Sequence, residues 1–226
     1  MKVSTASQRS TNSMAPTDPR VKKYRAVLAE LNRAISRRTI EAGNSAENEH
    51  QTATYWAAAS RANVRTICET GFNGGHSALL WLSANANATV HMFDLFAYAA
   101  SRAGEAVLRA HFGSRLVVHR GPSSHTLRMW RLETRRHCDI FSVDGGHSYR
   151  DALTDLFAAY FLTTKHSTCF IDDTNCRSEW CVDSALEEIG RLVPVHVQAR
   201  YSYMNGSRGL TLFSFPGVSK RYLPKD

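Results

Sequence analysis

Two short apolar runs, Cys138-Asp-Ile-Phe-Ser-Val143 and Ser167-Thr-Cys-Phe-Ile171, bracket the segment YRDALTDLFAAYFL. Runs this short and apolar suit strands buried on both faces of a parallel sheet, and the segment between them repeats its apolar residues at helical spacing. Together they form one βαβ unit, whose crossover leaves the two strands parallel and adjacent. The first run continues into Asp144-Gly-Gly-His147, and the second ends 28 residues after Asp144 in Asp172-Asp173. The carboxyl ends of neighbouring strands lie ~5 Å apart, on the edge where open α/β sheets bind ligands. Three carboxylates and a histidine therefore converge on one crevice.

The same alternation runs through most of the chain. VRTICE precedes the helical HSALLWLSANA, TVHMFDL precedes YAASRAGEAVLRAHF, and RLVVHR precedes SSHTLRMWRLE. After the βαβ unit come a helix from Trp180 to Leu192, then PVHVQARYSY, the turn Met204-Asn205-Gly206-Ser207 and GLTLFSF. Asn-Gly between two strand-like runs signals a hairpin. The expected fold is α/β: a Rossmann-like, doubly wound sheet of seven strands, mostly parallel, with an antiparallel C-terminal hairpin and helices on both faces. Upstream, Pro19 to Arg38 reads as an amphipathic helix, EAGNSAENEH as a loop and Gln51 to Ala62 as a second helix. In that second helix Tyr55 and Trp56 are available for packing or for covering a ligand. At 226 residues the chain suits one domain. The expected division is a disordered tail at 1–18, a helical cap on the substrate side at 19–62, the main domain at 63–216 and a C-terminal tail at 217–226.

No apolar run reaches membrane-spanning length and the first residues hold no hydrophobic core of a signal peptide, so the expectation is a soluble, cytoplasmic protein with no membrane partner. Residues 1–17, rich in Ser and Thr and free of acid, keep an organelle-targeting reading open beside that of a tail. Five cysteines, three of them in or beside predicted buried strands, read as reduced core thiols. Cys176 and Cys181 have no second pair with which to build a zinc site. The net charge of +8 raises the question of nucleic acid, but the arginines are dispersed rather than gathered in a block, which argues against that partner.

The first strand ends Glu69-Thr-Gly71-Phe-Asn-Gly74-Gly75-His76-Ser77 and runs straight into a helix, bringing free backbone N–H groups to the ligand edge. A dinucleotide fingerprint needs glycine where this chain has Glu69, and a carboxylate there opposes a pyrophosphate. A cationic ligand carrying an amino group and a sulfonium, such as S-adenosylmethionine, suits the acid better. Asp94 closes the next strand 23 residues after Gly71, near the spacing at which an acid receives ribose hydroxyls. His76 either touches the cofactor or opens the helix.

These residues resemble the class I S-adenosylmethionine-dependent methyltransferases, and more narrowly the metal-dependent O-methyltransferases of the catechol, caffeoyl-CoA and macrolide-sugar types, over residues 50–215. The DGGHSY stretch resembles a branch with mostly unassigned substrates. The resemblance implies that Glu69, Gly71, Gly75, Ser77, Asp94, Ser123 and Asp144 meet S-adenosylmethionine, with Ser77 on its carboxylate, Asp94 on the ribose and Ser123 beside the adenine. It further implies that Asp144, Asp172 and Asp173 hold Mg²⁺ or another divalent cation and that His147 is the general base. Oxygen-only ligands suit a hard ion, and an imidazole titrating near 6.5 can accept a proton at neutral pH. The expected acceptor is a hydroxyl of a small molecule, and a homodimer stays open. Tyr149, Trp180, Tyr201 and Tyr203 can wall the acceptor pocket or belong to the core. The competing readings are a metal-independent RNA or protein methyltransferase and a non-catalytic interaction protein on the same scaffold.

Overall fold

The computed structural model describes residues 14–35, 45–203 and 206–216. In chain order these form α1 (Pro19–Ile35), α2 (Glu49–Ala59), β1 (Thr66–Thr70), α3 (His76–Ala84), β2 (Thr89–Asp94), α4 (Ala99–Phe112), β3 (Leu116–Arg120), α5 (Ser123–Thr134), β4 (Ile140–Val143), α6 (Tyr149–Leu162), β5 (Thr168–Asp172), α7 (Asp183–Leu192), β6 (His196–Tyr203) and β7 (Arg208–Ser214). The strands make one sheet in the order β3-β2-β1-β4-β5-β7-β6. The first five are parallel, while β7 runs antiparallel to both β5 and β6. This is the Rossmann-like α/β architecture the alternation predicts. The strand order reverses between β1 and β4, so the ligand crevice opens there.

Successive strand residues point to opposite faces and feed two cores. Ile67, Met92, Ile140 and Phe170 join α1 to α4 on one face, and Cys68, Phe93, Phe141 and Ile171 join α5 to α7 on the other. The N-terminal helices are part of the first core rather than an appendage: Val21, Tyr24, Val27, Leu31, Tyr55 and Trp56 are all buried in it. Tyr55 stacks on Trp81 at 4.4 Å between ring centroids, and Trp56 takes the edge of Tyr24 at 5.9 Å. Both α2 aromatics are thus packing residues. Each such burial is worth about 1.5–3 kcal/mol against an exposed side chain, so the helices dock firmly.

Several boundaries differ from the sequence reading. Asn48 caps α2 by accepting from the Gln51 N–H at 3.0 Å, starting that helix ahead of Gln51. Trp180 and Cys181 stay in a loop and α7 begins at Asp183, because the Val182 N–H is drawn back to the Asp173 carbonyl at 2.8 Å. Met14, inside the expected tail, packs on the first core; residues 1–13, 36–38, 204–205 and 217–226, which complete the expected tails, helix and turn, lie outside the described residues. Among the described residues no helix is long and apolar enough to cross a membrane.

The cysteine expectation is corrected. Cys68 and Cys138, 70 residues apart, form a disulfide, as do Cys176 and Cys181, leaving only Cys169 free and buried. Adjacency of β1 and β4 brings the first pair to a Cα separation of 5.8 Å, within bridging range, a closeness that sequence distance conceals.

Candidate active site

A cavity of 830 Å³ runs along the carboxyl edge of the sheet, from Asp94, Leu95 and Ser123 at one end to Asp172, Asp173 and Arg208 at the other. At the first end the chain leaves β1 through Gly71, whose φ of 86° and close approach to the Asp144 carbonyl leave no room for a side chain. Asp94 pins this turn: one carboxylate oxygen accepts the Phe72 N–H at 2.7 Å and the other accepts the Phe96 N–H. Its remaining lone pairs are available to a ligand in the cavity it lines.

Glu69 sits beneath the turn, fully buried. Its Oε2 accepts from the Ser77 hydroxyl at 2.7 Å and the Trp81 indole at 3.0 Å, while Oε1 has no partner. Burial pushes Glu69 up to about 7, against the pull of those two donors. Ser77 lines the cavity but commits its proton to Glu69. Gly75 caps α3 in the left-handed region, packed under the Phe72 ring. His76 opens α3 and also lines the cavity, its Nε2 paired with Asn32 at 2.9 Å. Ser123 lines the cavity from the start of α5 and donates its hydroxyl to Asp155 at 2.7 Å.

The second end gathers the acids of the βαβ unit. Asp144 follows β4, Asp172 closes β5, and Asp173 comes next with a φ of 51°. Asp173 is paired on both oxygens, with His147 Nε2 at 3.0 Å and Arg208 Nη1 at 2.8 Å. Burial alone would raise it, but the hydrogen bonds and charges of His147 and Arg208 hold it below the ordinary aspartate value. A carboxylate only accepts, so Nε2 of His147 carries a proton in either charge state of the ring, and Nδ1 is the nitrogen that can take up a proton when the ring is neutral. Asp172 accepts from the Tyr203 hydroxyl at 3.0 Å and the Gln51 amide at 2.9 Å. Asp144 is raised well above its ordinary value by burial first, then by Asp172, Glu69 and Asp173, with Arg208 opposing.

The donor set at this end is one that a divalent cation could use. Ligand atoms of Asp144, His147 and Asp173 lie within 4.8 Å of one another, and no hydrogen bond to the Asp144 carboxylate is present among the described residues. Against Asp144, Asp172 and Asp173 stands the guanidinium of Arg208, paired with Asp173. An excess of buried carboxylate with one oxygen pair uncommitted fits a hard cation.

The side chains that hold Asp172 and Asp173 include three that the sequence reading did not place in the site: Gln51, Tyr203 and Arg208. A polar side chain on the buried face of α2 was the available signal for Gln51. For Arg208, 35 residues from the acid it pairs, there was none. Trp180 lies half exposed with its ring 5.7 Å from that of His147, at the mouth of this end.

A family model described as a methyltransferase domain matches residues 68–174. The fold is similar to that of an O-methyltransferase from Bacillus cereus solved with SAH, at a TM-score of 0.68 and 15% identity, covering 88% of this chain and 93% of that one. It is equally similar to the O-methyltransferase TomG of Streptomyces achromogenes, involved in tomaymycin synthesis and solved with SAM: TM-score 0.68, 16% identity, 84% and 90% of the two chains. An rRNA methylase from Streptococcus thermophilus shares the fold at a TM-score of 0.56 and 11% identity, over 72% of this chain and 93% of that one. No match was found among the curated proteins.

Proposed function

We propose that this chain, whose residues 68–174 are a methyltransferase domain, is an S-adenosylmethionine-dependent O-methyltransferase acting on a hydroxyl of a small molecule. The observation that carries the reading is the His147–Asp173 pair, standing in the same cavity as the Gly71 turn and Asp94. Asp94, the backbone at Gly71, Ser77 and Ser123 would hold the cofactor, which supplies a methyl group on a sulfonium. Asp144, Asp172 and Asp173 would hold a divalent cation, whose charge favours the ionised form of an acceptor hydroxyl.

What the chain's own residues do follows from their pairing. Asp173 fixes the His147 ring and its tautomer, Arg208 keeps Asp173 ionised, and Nδ1 of His147 takes the acceptor's proton. Alignment of donor and acceptor in one crevice supplies much of the remaining rate, since an in-line displacement depends on orientation. The cavity volume falls within the ~300–1,000 Å³ usual for small ligands and supports a small acceptor over a macromolecular one.

A cytoplasmic setting belongs to the same proposal. The cytosol keeps thiols reduced, so alkylation of the five cysteines in protein taken directly from cells tests that placement against the two disulfides. The function itself is tested by transfer of labelled methyl to a panel of hydroxylated small molecules, with and without Mg²⁺. Transfer only to RNA, with binding that weakens steeply as salt rises, would replace the small acceptor by a nucleic acid. No transfer to any acceptor, together with no cofactor binding, would leave an interaction protein.

A further inference from the structure

Asp172 differs from its neighbours in how it is held. Asp173 is paired with a guanidinium and an imidazole, and among the described residues no side chain donates to the Asp144 carboxylate; the hydrogen bond of Asp144 runs from its backbone N–H to Thr70. Asp172 instead receives two neutral donors, one on each oxygen: Tyr203 OH on Oδ1 and Gln51 Nε2 on Oδ2. These come from elements 31 and 121 residues away, at the end of β6 and in the first turn of α2. The two donors also meet each other, the Tyr203 hydroxyl lying 3.2 Å from Gln51 Oε1. Gln51 is only 4% exposed. Its backbone is fixed by the Asn48 cap, and its amide also reaches the buried Tyr55 hydroxyl, at 3.4 Å, one turn further along α2.

We propose that Gln51 and Tyr203 are positioning residues that fix the Asp172 carboxylate for a divalent cation, so that cation binding depends on the docking of α2 and β6. This rests on the cation reading given above. An amide and a phenol orient the Asp172 carboxylate without placing a positive charge beside it, whereas Arg208 partly offsets the charge of Asp173. Two lone-pair sites of Asp172 are used and about two remain toward the cavity it lines. Without the clamp, repulsion from Asp144 and Asp173 would turn the carboxylate away. The N-terminal helices, read from sequence as a cap on the substrate side, thereby reach the ion site directly.

The test needs no acceptor. Full-length wild type, Tyr203→Phe and Gln51→Met are each titrated calorimetrically with Mn²⁺ and, separately, with S-adenosylmethionine. Loss of an outer hydrogen bond to a metal ligand typically lowers metal affinity about 10–100-fold, and that loss is expected in each variant while cofactor affinity stays within about twofold. Tyr203→Phe removes a single oxygen and guards against a Gln51 variant that fails to fold. Because the two donors share one triangle, the double variant should lose less than the product of the single losses. Wild type binding no Mn²⁺ overturns the cation reading and this inference with it. Equal Mn²⁺ affinity in wild type and variants overturns this inference alone. A parallel fall in Mn²⁺ and cofactor affinity marks a merely structural role and overturns it too.

Discussion

At the Asp94 end of the crevice the carboxylate is tied to backbone N–H groups of the adjoining turn and of its own strand end, and the glycines beside it admit no side chain. At the Asp144 end, acids from two strand ends are held by side chains from α2, the segment after β4, β6 and β7, and the negative charge outruns the positive. The first end is a cradle built mainly from one stretch of chain, the β1–β2 region, with Ser123 added from the start of α5. The other is assembled from five, and its excess of carboxylate is what the proposed cation would offset. On the proposed function, the locally built end would receive the cofactor and the charge-crowded end would make an acceptor oxygen nucleophilic.

If the ends divide the work in this way, the largest effect belongs to the acid end. His147→Ala should lower kcat about 10²–10⁴-fold with cofactor affinity nearly unchanged, because a base acts mainly in the transition state. Steady-state kinetics with an identified acceptor checks it, and near-normal turnover would assign the proton to another group. Gly71→Ala should break both ends at once. A Cβ there would sit 1.8 Å from the Asp144 carbonyl oxygen in a backbone conformation with φ of 86°. Relief requires moving β4's exit, at a cost on the order of 3 kcal/mol. Urea unfolding measures that cost, and Mn²⁺ titration should register the displaced Asp144. A variant as stable as wild type would mean the two turns are not in contact.

Asp94→Ala acts on the cradle alone. Loss of a charge-assisted contact costs about 1.5–3 kcal/mol, or roughly one to two decades of cofactor affinity. Mn²⁺ affinity should stay at the wild-type value in the same protein. Calorimetry that finds both affinities reduced would show that the ends are coupled more tightly than their hydrogen bonds imply.

The contrast also explains what could be read before any coordinates. The cradle is local: Glu69, Gly71 and Ser77 lie within nine residues and Asp94 ends the next strand, so periodicity and glycine spacing suffice to place them. The three aspartates were legible for the same reason, as ends of strands in one βαβ unit. Their partners were not. Arg208 reaches Asp173 only because β7 pairs antiparallel with β5, and Gln51 reaches Asp172 only because α2 docks on the sheet. The Cys68–Cys138 bond was hidden likewise by the adjacency of β1 and β4. Even within the cradle, the depth of Glu69 is not in the local pattern: it lies fully buried, with Ser77 and Trp81 donating to one of its oxygens. Local pattern gives position along the chain; long-range packing decides what each charge faces.

The smallest effect near neutral pH comes from two buried histidines, His76 and His91. Burial lowers His76 to about 4, and burial with the nearby charges of His119 and Arg136 lowers His91 to about 4. Both rings are neutral when folded, whereas in the unfolded chain they take up protons near 6.5. The unfolded state therefore binds more protons between those values, and stability contributed by each ring is complete above 6.5 and lost as pH falls toward 4. At pH 6.5 the loss is only about 0.4 kcal/mol per ring, and it steepens below that. Acids raised by burial, Glu69 to about 7 and Asp155 to about 6, run the other way, because their folded forms keep protons that the unfolded chain gives up. The wild-type profile is a difference of the two, so the comparison with His91→Gln isolates the ring. That variant should lose stability less steeply from pH 7 to 5 than wild type in urea unfolding, and parallel curves would mean that His91 is already charged in the fold.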